Sequence, residues 1–246
     1  MTDKSALVTG ASRGIGFGIA SSLAAQGYSL TLSARDEQRL AEVADTLKAA
    51  GAPRVVAVAG DLADPDAVGQ LAQRHTAEFG AMDALIVNAG VGTAGEIGEF
   101  PMRRFDKTVA VNLRAPVQLL QECLPLLRAG AAANPGRGAK VVALSSITGV
   151  YSEAQLGVYG ATKAALVSLV STFNAEESGR GVTATAISPA YVDTDMSAWI
   201  KDRIAAESMI EVGDIVELVD SLLRLSSKAV VPNIVVTRAG TDGYRA

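Results

Sequence analysis

This sequence is short of several things, and each shortage excludes something. It has one cysteine, Cys123, so no intrachain disulfide can form and a reducing compartment is the expected setting. Cys123 falls in an apolar helical stretch and reads as a small buried hydrophobe. It also has one histidine, His75, and no His/Cys cluster to hold a metal. His75 lies in the polar stretch Gln70 to Glu78 and reads as a surface residue. Excess positive charge is missing: 22 Lys and Arg against 26 Asp and Glu leave a net charge of −4. That gives no electrostatic case for nucleic acid or an anionic membrane as partner. Long hydrophobic runs are missing too. No apolar stretch reaches the ~18 residues of a membrane span, and no signal peptide precedes Ala6-Leu7-Val8, so a soluble, unprocessed, cytoplasmic protein is expected.

What is there is 246 residues, 49% of them hydrophobic, enough for a sizeable core in one domain, 1–246. Seven short runs read as strands: Ala6 to Thr9, Ser29 to Ser33, Val55 to Ala59, Ala84 to Val87, Lys140 to Leu144, Thr183 to Ile187 and Ile234 to Val236. They are mostly apolar and do not alternate, as strands covered on both faces are, and helical stretches separate them. The class is therefore α/β, a mostly parallel sheet joined by right-handed crossovers. Asp36 is placed to cap a helix from Glu37 to Ala50, which Gly51 and Pro53 end. Asp64-Pro65 opens the next, which runs to Gly80. The Ala/Gly-rich stretch Ala129 to Gly138 reads as a surface loop.

The first strand runs into Thr9-Gly10-Ala11-Ser12-Arg13-Gly14-Ile15-Gly16, with a helix from Phe17 to Gln26 behind it. Glycines there let backbone amides approach a pyrophosphate, which the helix N-terminus stabilises. The spacing is G-x-x-x-G-x-G, not the common G-x-G-x-x-G. Later in the chain Tyr159 and Lys163 stand four apart, with Ser146 thirteen residues before the tyrosine. On a helix the phenol and the ammonium share one face. Lowering a phenol pKa by ~3 units needs ~4 kcal/mol of preference for the phenolate, which a nearby ammonium in a partly dry cleft can supply. Asn112 precedes Pro116 by four residues. Within a helix Pro116 offers no N–H to the Asn112 carbonyl, which leaves that carbonyl open to a water; an ordinary proline kink is the alternative.

Taken together, these motifs resemble the classical short-chain dehydrogenase/reductase family over nearly the whole chain. The resemblance rests on Thr9 to Gly16, Asp61, Asn88-Ala89-Gly90, Asn112, Ser146, and Tyr159 with Lys163. It implies a single doubly wound (Rossmann) domain, helices on both faces of the sheet, a nicotinamide dinucleotide and hydride transfer. It implies that Gly10, Ser12, Arg13, Gly14, Ile15 and Gly16 hold the dinucleotide, that Asp61 and Leu62 contact the adenine, and that Asn88, Ala89 and Gly90 line its path. In the roles it implies, Tyr159 gives a proton to the developing alkoxide and Ser146 hydrogen-bonds the same oxygen. Lys163 holds the ribose and lowers the phenol pKa, and Asn112 anchors a water that links the lysine to solvent. Ser145 is the rival to Ser146.

The second strand ends at Arg35, and basic residues there and at Arg13 go with NADP in the family. NADP(H) is expected, with NAD as the alternative if Asp36 takes the ribose instead of capping its helix. The segment Ser188 to Met196 resembles the family's Pro-Gly segment with Ala190 in place of glycine; Pro189, Val192 and Thr194 keep their places beside the nicotinamide. Residues 190–211, with Met196, Trp199, Ile200, Met209 and Ile210 among charges, read as a lid over an apolar substrate. Val150, Tyr151, Gln155 and Tyr191 are candidate pocket walls.

The substrate is expected to be a small carbonyl compound, with a 3-oxoacyl thioester as the leading candidate and Arg128, Arg137 and Arg180 as a possible basic rim for an acidic carrier. The Asp-Gly-Gly ending usual in such reductases is absent from Val235 to Gly240. Another small carbonyl or alcohol (a sugar, a polyol, a xenobiotic ketone) is the alternative. A non-catalytic dinucleotide sensor would not need Tyr159, Lys163 and Ser146 together. The resemblance also implies a homo-oligomer, either a homotetramer or a homodimer.

Overall fold

The computed structural model describes residues 4–243. Seven strands form one parallel sheet: β1 (Ser5–Thr9), β2 (Ser29–Ala34), β3 (Val55–Ala59), β4 (Ala84–Val87), β5 (Ala139–Leu144), β6 (Val182–Pro189) and β7 (Asn233–Val236), in the order β3-β2-β1-β4-β5-β6-β7. Seven α-helices connect them: α1 (Gly14–Ala25), α2 (Glu37–Ala49), α3 (Pro65–Phe79), α4 (Met102–Val109), α5 (Ala115–Ala133), α6 (Gly157–Glu177) and α7 (Val212–Arg224). The strand order reverses between β1 and β4, which opens a crevice at the carboxyl ends of these strands.

The absence of alternation in the strands has the expected cause. Ala6 and Val8 of β1 pack into one core with α1, α2 and α7, while Leu7 between them packs into a second core with α3, α5 and α6. The same split separates Ala84 and Ile86 from Leu85 and Val87 in β4. The edge strands β3 and β7 are partly exposed, because each has a neighbour on one side only. The helix signals also hold. The Asp36 side chain accepts from the Arg39 amide at 2.9 Å, and Gly80 ends α3 in the left-handed conformation.

Two expectations fail. The Ala/Gly-rich stretch is helical as far as Ala133, and only residues 134–138 form a turn. Alanine favours a helix, and Gly130 is needed where a side chain would collide with the Met82 carbonyl. His75 is not at the surface but fully buried. One ring nitrogen meets Thr31 Oγ1 at 2.8 Å; the other lies 3.2 Å from the Ala81 carbonyl and 3.4 Å from Ser5 Oγ. The polar neighbours of His75 in sequence point elsewhere on the helix, while His75 shares a face with buried Val68, Leu71 and Ala72.

Burial lowers the His75 pKa from 6.5 to about 4, although its hydrogen bond to Ala81 works the other way. Between these values the unfolded chain binds the proton and the folded chain does not, so stability falls as pH drops through this window and levels off below it. The shift corresponds to about 3 kcal/mol. Urea unfolding across the window should show this loss, and His75→Gln should flatten it.

Candidate active site

The glycine loop is shaped by contacts that exclude side chains. Gly10 sits at φ +65°, and a Cβ on Gly16 would come within 2.2 Å of the Gly10 carbonyl oxygen and 2.4 Å of Asn88 Nδ2. Asn88 holds the loop in place: its Nδ2 donates to the carbonyls of Thr9 and Gly10 at 3.0 and 3.1 Å. Thr9 Oγ1 in turn accepts from the amides of Asn88 and Ala89, both at 3.0 Å. The start of α1, at Arg13, has no side-chain cap and no acidic residue in its first turn. Its free N–H groups and the positive end of the helix dipole suit an anion.

A cavity of about 470 Å³ lies over this loop. Every residue of the expected nucleotide set lines it except Gly16, which is packed beneath the loop, and the later residues Tyr159, Lys163, Pro189 and Val192. Arg13 and Arg35 both reach it. Asp36 does not, and its carboxylate already serves as the α2 cap. Asp61 accepts from the Ala63 amide at 3.0 Å and lies 3.6 Å from Lys107, so its turn-capping role and its place in the cavity wall coexist. Arg13 also makes a 2.9 Å ion pair with Asp195, both side chains exposed.

A second cavity of about 530 Å³ shares the walls Ile15, Asn88, Gly90, Gly92, Thr194 and Met196 with the first. Tyr159, Lys163, Ser146, Pro189 and Val192 line it. Lys163 is 4% exposed, donates from Nζ to the Leu144 carbonyl at 2.7 Å, and lies 5.7 Å from the centre of the Tyr159 ring. Ser146 Oγ accepts from the amide and hydroxyl of Thr148 at 3.2 and 2.9 Å. Ser145 instead donates to the Lys163 carbonyl at 2.9 Å, which fixes the strand to α6 and leaves Ser146 as the hydroxyl partner of the phenol.

Electrostatics here differ from the expectation. The Tyr159 ring is partly exposed but its titrating end is buried, and burial pushes its pKa up to about 12, against which the Ser146 hydrogen bond acts. Burial also brings Lys163 down to about 8. Desolvation is thus the largest cause at both groups, and at the phenol the Ser146 hydrogen bond does not overcome it. The phenol is therefore held protonated at neutral pH, ready to donate.

Asn112 sits in a turn wound as a π-helix, Ala110–Arg114, between α4 and α5. Pro116 cannot close an α-turn on the Asn112 carbonyl, and the helix is wound wider at this point. The Asn112 side chain bridges two elements. Its Oδ1 accepts from the Val91 amide at 2.9 Å, and its Nδ2 donates to the Val91 carbonyl at 3.1 Å and Thr162 Oγ1 at 3.2 Å. It thereby ties the Gly90-Val91 loop to the helix that carries Tyr159 and Lys163.

Ala190 needs no glycine conformation: it is buried, its φ is not positive, and its amide donates to the Val236 carbonyl at 2.8 Å. The segment after it leaves and returns at one place, since Val192 pairs with Ile210 in a parallel bridge. Between them, Ile200 and Met209 pack inward, as Ile210 does, while Met196 and Trp199 line the second cavity and remain about half exposed. Of the four candidate walls only Tyr191 lines this cavity. Its hydroxyl donates to Glu153 at 3.2 Å.

The expected basic rim is not at the cavity. Arg128 and Arg180 both pair with Glu177, and Arg137 donates to the Arg224 carbonyl. The arginine that does line the cavity is Arg104, which sequence reasoning missed. Its only signal was a cluster of cations, Arg103, Arg104 and Lys107, in a short helix after the fourth strand. Among the described residues, no group of three or more His, Cys, Asp or Glu could hold a metal ion, and no helix is long and apolar enough to cross a membrane.

A family model described as short chain dehydrogenase matches residues 4–205. The chain is 30% identical over 211 residues to the 3-oxoacyl-[acyl-carrier-protein] reductase FabG of Staphylococcus aureus, a match covering 85% of this chain and 82% of that protein. A short chain dehydrogenase from Burkholderia cenocepacia, solved in complex with NADP, superposes with a TM-score of 0.83 at 30% identity over 95% of each chain. An alcohol dehydrogenase from the archaeon Thermococcus sibiricus, complexed with 5-hydroxy-NADP, gives 0.85 at 28% identity, covering 96% of this chain and 97% of the other. Sheet order, glycine loop and the Tyr159 cavity agree with these matches: the chain belongs to the short chain dehydrogenase family and is an oxidoreductase.

Proposed function

We propose that the protein uses NADPH to reduce the carbonyl of a substrate with an aliphatic body, a 3-oxoacyl thioester being the leading candidate. The observation that carries this reading is the placement of Tyr159 and Ser146 in one cavity that continues into a dinucleotide-sized cleft over the glycine loop. The nicotinamide, when bound, supplies hydride to the carbonyl carbon. Gly10, Ser12, Arg13 and Gly14 would hold the pyrophosphate, Arg35 the 2′-phosphate, and Asp61 and Leu62 the adenine side. Ser146 orients the carbonyl oxygen and Tyr159 gives it a proton. The phenolate this leaves is stabilised by the Lys163 ammonium, which would also hold the ribose and sits on the helix that Asn112 ties to the Gly90-Val91 loop through Thr162. The 190–211 segment acts as a lid whose Met196 and Trp199 exclude water from the carbonyl. Apolar walls such as Leu144, Leu156, Val192 and Trp199 favour an acyl chain over a sugar or polyol. The relative from Staphylococcus aureus supports the thioester choice by its name, and the solved relatives bound to NADP or its analogue support the cofactor.

The test is NADPH oxidation with acetoacetyl thioesters, diketones, quinones and sugars. Turnover of the thioesters or diketones is expected, and turnover of sugars alone would overturn the substrate class. NADPH should be preferred over NADH. Arg35→Asp removes a charge-assisted contact and sets a carboxylate against the phosphate, so the preference in kcat/KM should shift toward NADH by on the order of 100-fold. Equal efficiency with both cofactors in the unaltered protein would refute the NADP assignment.

A further inference from the structure

Among the described residues, two cations, Lys163 and Arg104, line the substrate cavity, and no aspartate or glutamate does. Lys163 is buried and committed to the Leu144 carbonyl. Arg104 differs in that, among the described residues, it has no carboxylate partner. Three other exposed cations do have carboxylate partners: Arg13 with Asp195, Lys107 with Asp61, Lys201 with Asp193. The Arg104 guanidinium instead stacks over the Phe100 ring, 5.4 Å from its centroid. A cation–π contact of this kind steadies the group without occupying its N–H donors, which stay available to an acceptor.

The mount of Arg104 is also fixed. Its carbonyl accepts from Thr108 Oγ1 at 2.7 Å, and Thr108 Oγ1 lies 3.3 Å from Oγ1 of Thr93, a residue of the cavity wall. Phe100 packs on Gly95, where a Cβ would come within 3.1 Å of the ring, and the Gly95 amide donates to the Gln155 carbonyl at 2.8 Å. The arginine is thus held on both sides by the loops that form the cavity. Its side chain is exposed and places a solvated cation at the edge of mostly apolar walls.

We propose that Arg104 is the specificity-determining residue of this cavity and selects carbonyl substrates that carry an anionic group, carboxylate or phosphate, on a tail remote from the reacting carbonyl. This rests on the reading of the cavity as a carbonyl-reduction site. A bidentate arginine pair with either anion is stronger than a neutral hydrogen bond, and the apolar walls then favour a hydrocarbon body between the two ends.

Trp199 is the only tryptophan of the chain and lines the same cavity, so its fluorescence reports ligand binding without turnover. With NADP present, the protein is titrated with two matched pairs: acetoacetyl-phosphopantetheine against acetoacetyl-pantetheine, and levulinate against methyl levulinate. The anionic member should bind better in at least one pair. The ratio of affinities within that pair should fall about tenfold in Arg104→Gln and be partly kept in Arg104→Lys. A preference in the phosphate pair alone identifies a phosphate-tailed thioester, and one in the carboxylate pair alone a free oxo acid; both support the proposal. No preference in either pair, or one that survives Arg104→Gln, overturns it. Failure of the reaction is separable: an Arg104-dependent preference without NADPH oxidation refutes carbonyl reduction and leaves anion recognition standing.

Discussion

Tyr159→Phe should lower kcat by roughly 1,000-fold or more while NADPH binds within a few-fold of its usual affinity, because positioned proton transfer contributes about 100- to 10,000-fold. The aromatic ring, its packing and the stacking distance to Lys163 all survive this change, and only the proton donor is lost. The surroundings sharpen the expectation. Burial holds the phenol protonated, with a pKa near 12, and Ser146 is its hydrogen-bond partner. Lys163, the other titratable group beside it, is turned to the Leu144 carbonyl. Steady-state kinetics with a thioester or diketone, together with NADPH fluorescence titration, checks both halves. An unaltered kcat would require another proton source.

Gly16→Ala should damage both stability and dinucleotide binding. Its Cβ would lie 2.2 Å from the Gly10 carbonyl oxygen, which is backbone and cannot rotate aside, and 2.4 Å from Asn88 Nδ2, which already holds the loop. Forcing that contact costs about 1–3 kcal/mol in strain and backbone shift. For a chain of this size the melting temperature should drop by several degrees, at ~2–4 °C per kcal/mol. Dinucleotide affinity should fall by about 100-fold, because the shifted amides are those facing the cleft. Gly213→Ala is the control. It lies in α7 with nothing within 4 Å of the added methyl, and it should be neutral or stabilising by up to ~1 kcal/mol. Differential scanning calorimetry and NADPH titration on the two variants separate close packing from a general effect of removing glycine.

The strands, the capped helices and the glycine loop were legible in the sequence because each carries a local signal: apolar runs, Asp36 and Asp64 at helix starts, and glycines where side chains do not fit. Tyr159, Lys163 and Ser146 were legible through spacing, and the fold brings all three to one cavity. What stayed hidden depends on contacts distant in sequence. His75 is polar among polar neighbours, and only the packing of α3 against β1 and β2 makes it an interior residue. Arg128 and Arg180 look as free as Arg104 in sequence, yet Glu177 neutralises the first two and nothing described neutralises the third. The direction of the Tyr159 shift was misjudged because spacing reports proximity of a cation and is silent on how dry the site is.

The π turn at Ala110–Arg114 has a geometric consequence for the whole upper rim. A π turn amounts to one residue inserted in a continuous α-helix, and each residue advances the helix by about 100°. α4 and α5 therefore run as one rod whose two halves are clocked differently: the far half points its apolar stripe into the sheet, and the near half aims the Arg104 and Thr108 side at the mouth of the cleft. Removing a single residue from this turn would leave both halves intact and swing one past the other by about a quarter of a revolution, so the phase of this rod, not its composition, decides what the opening presents to an arriving molecule.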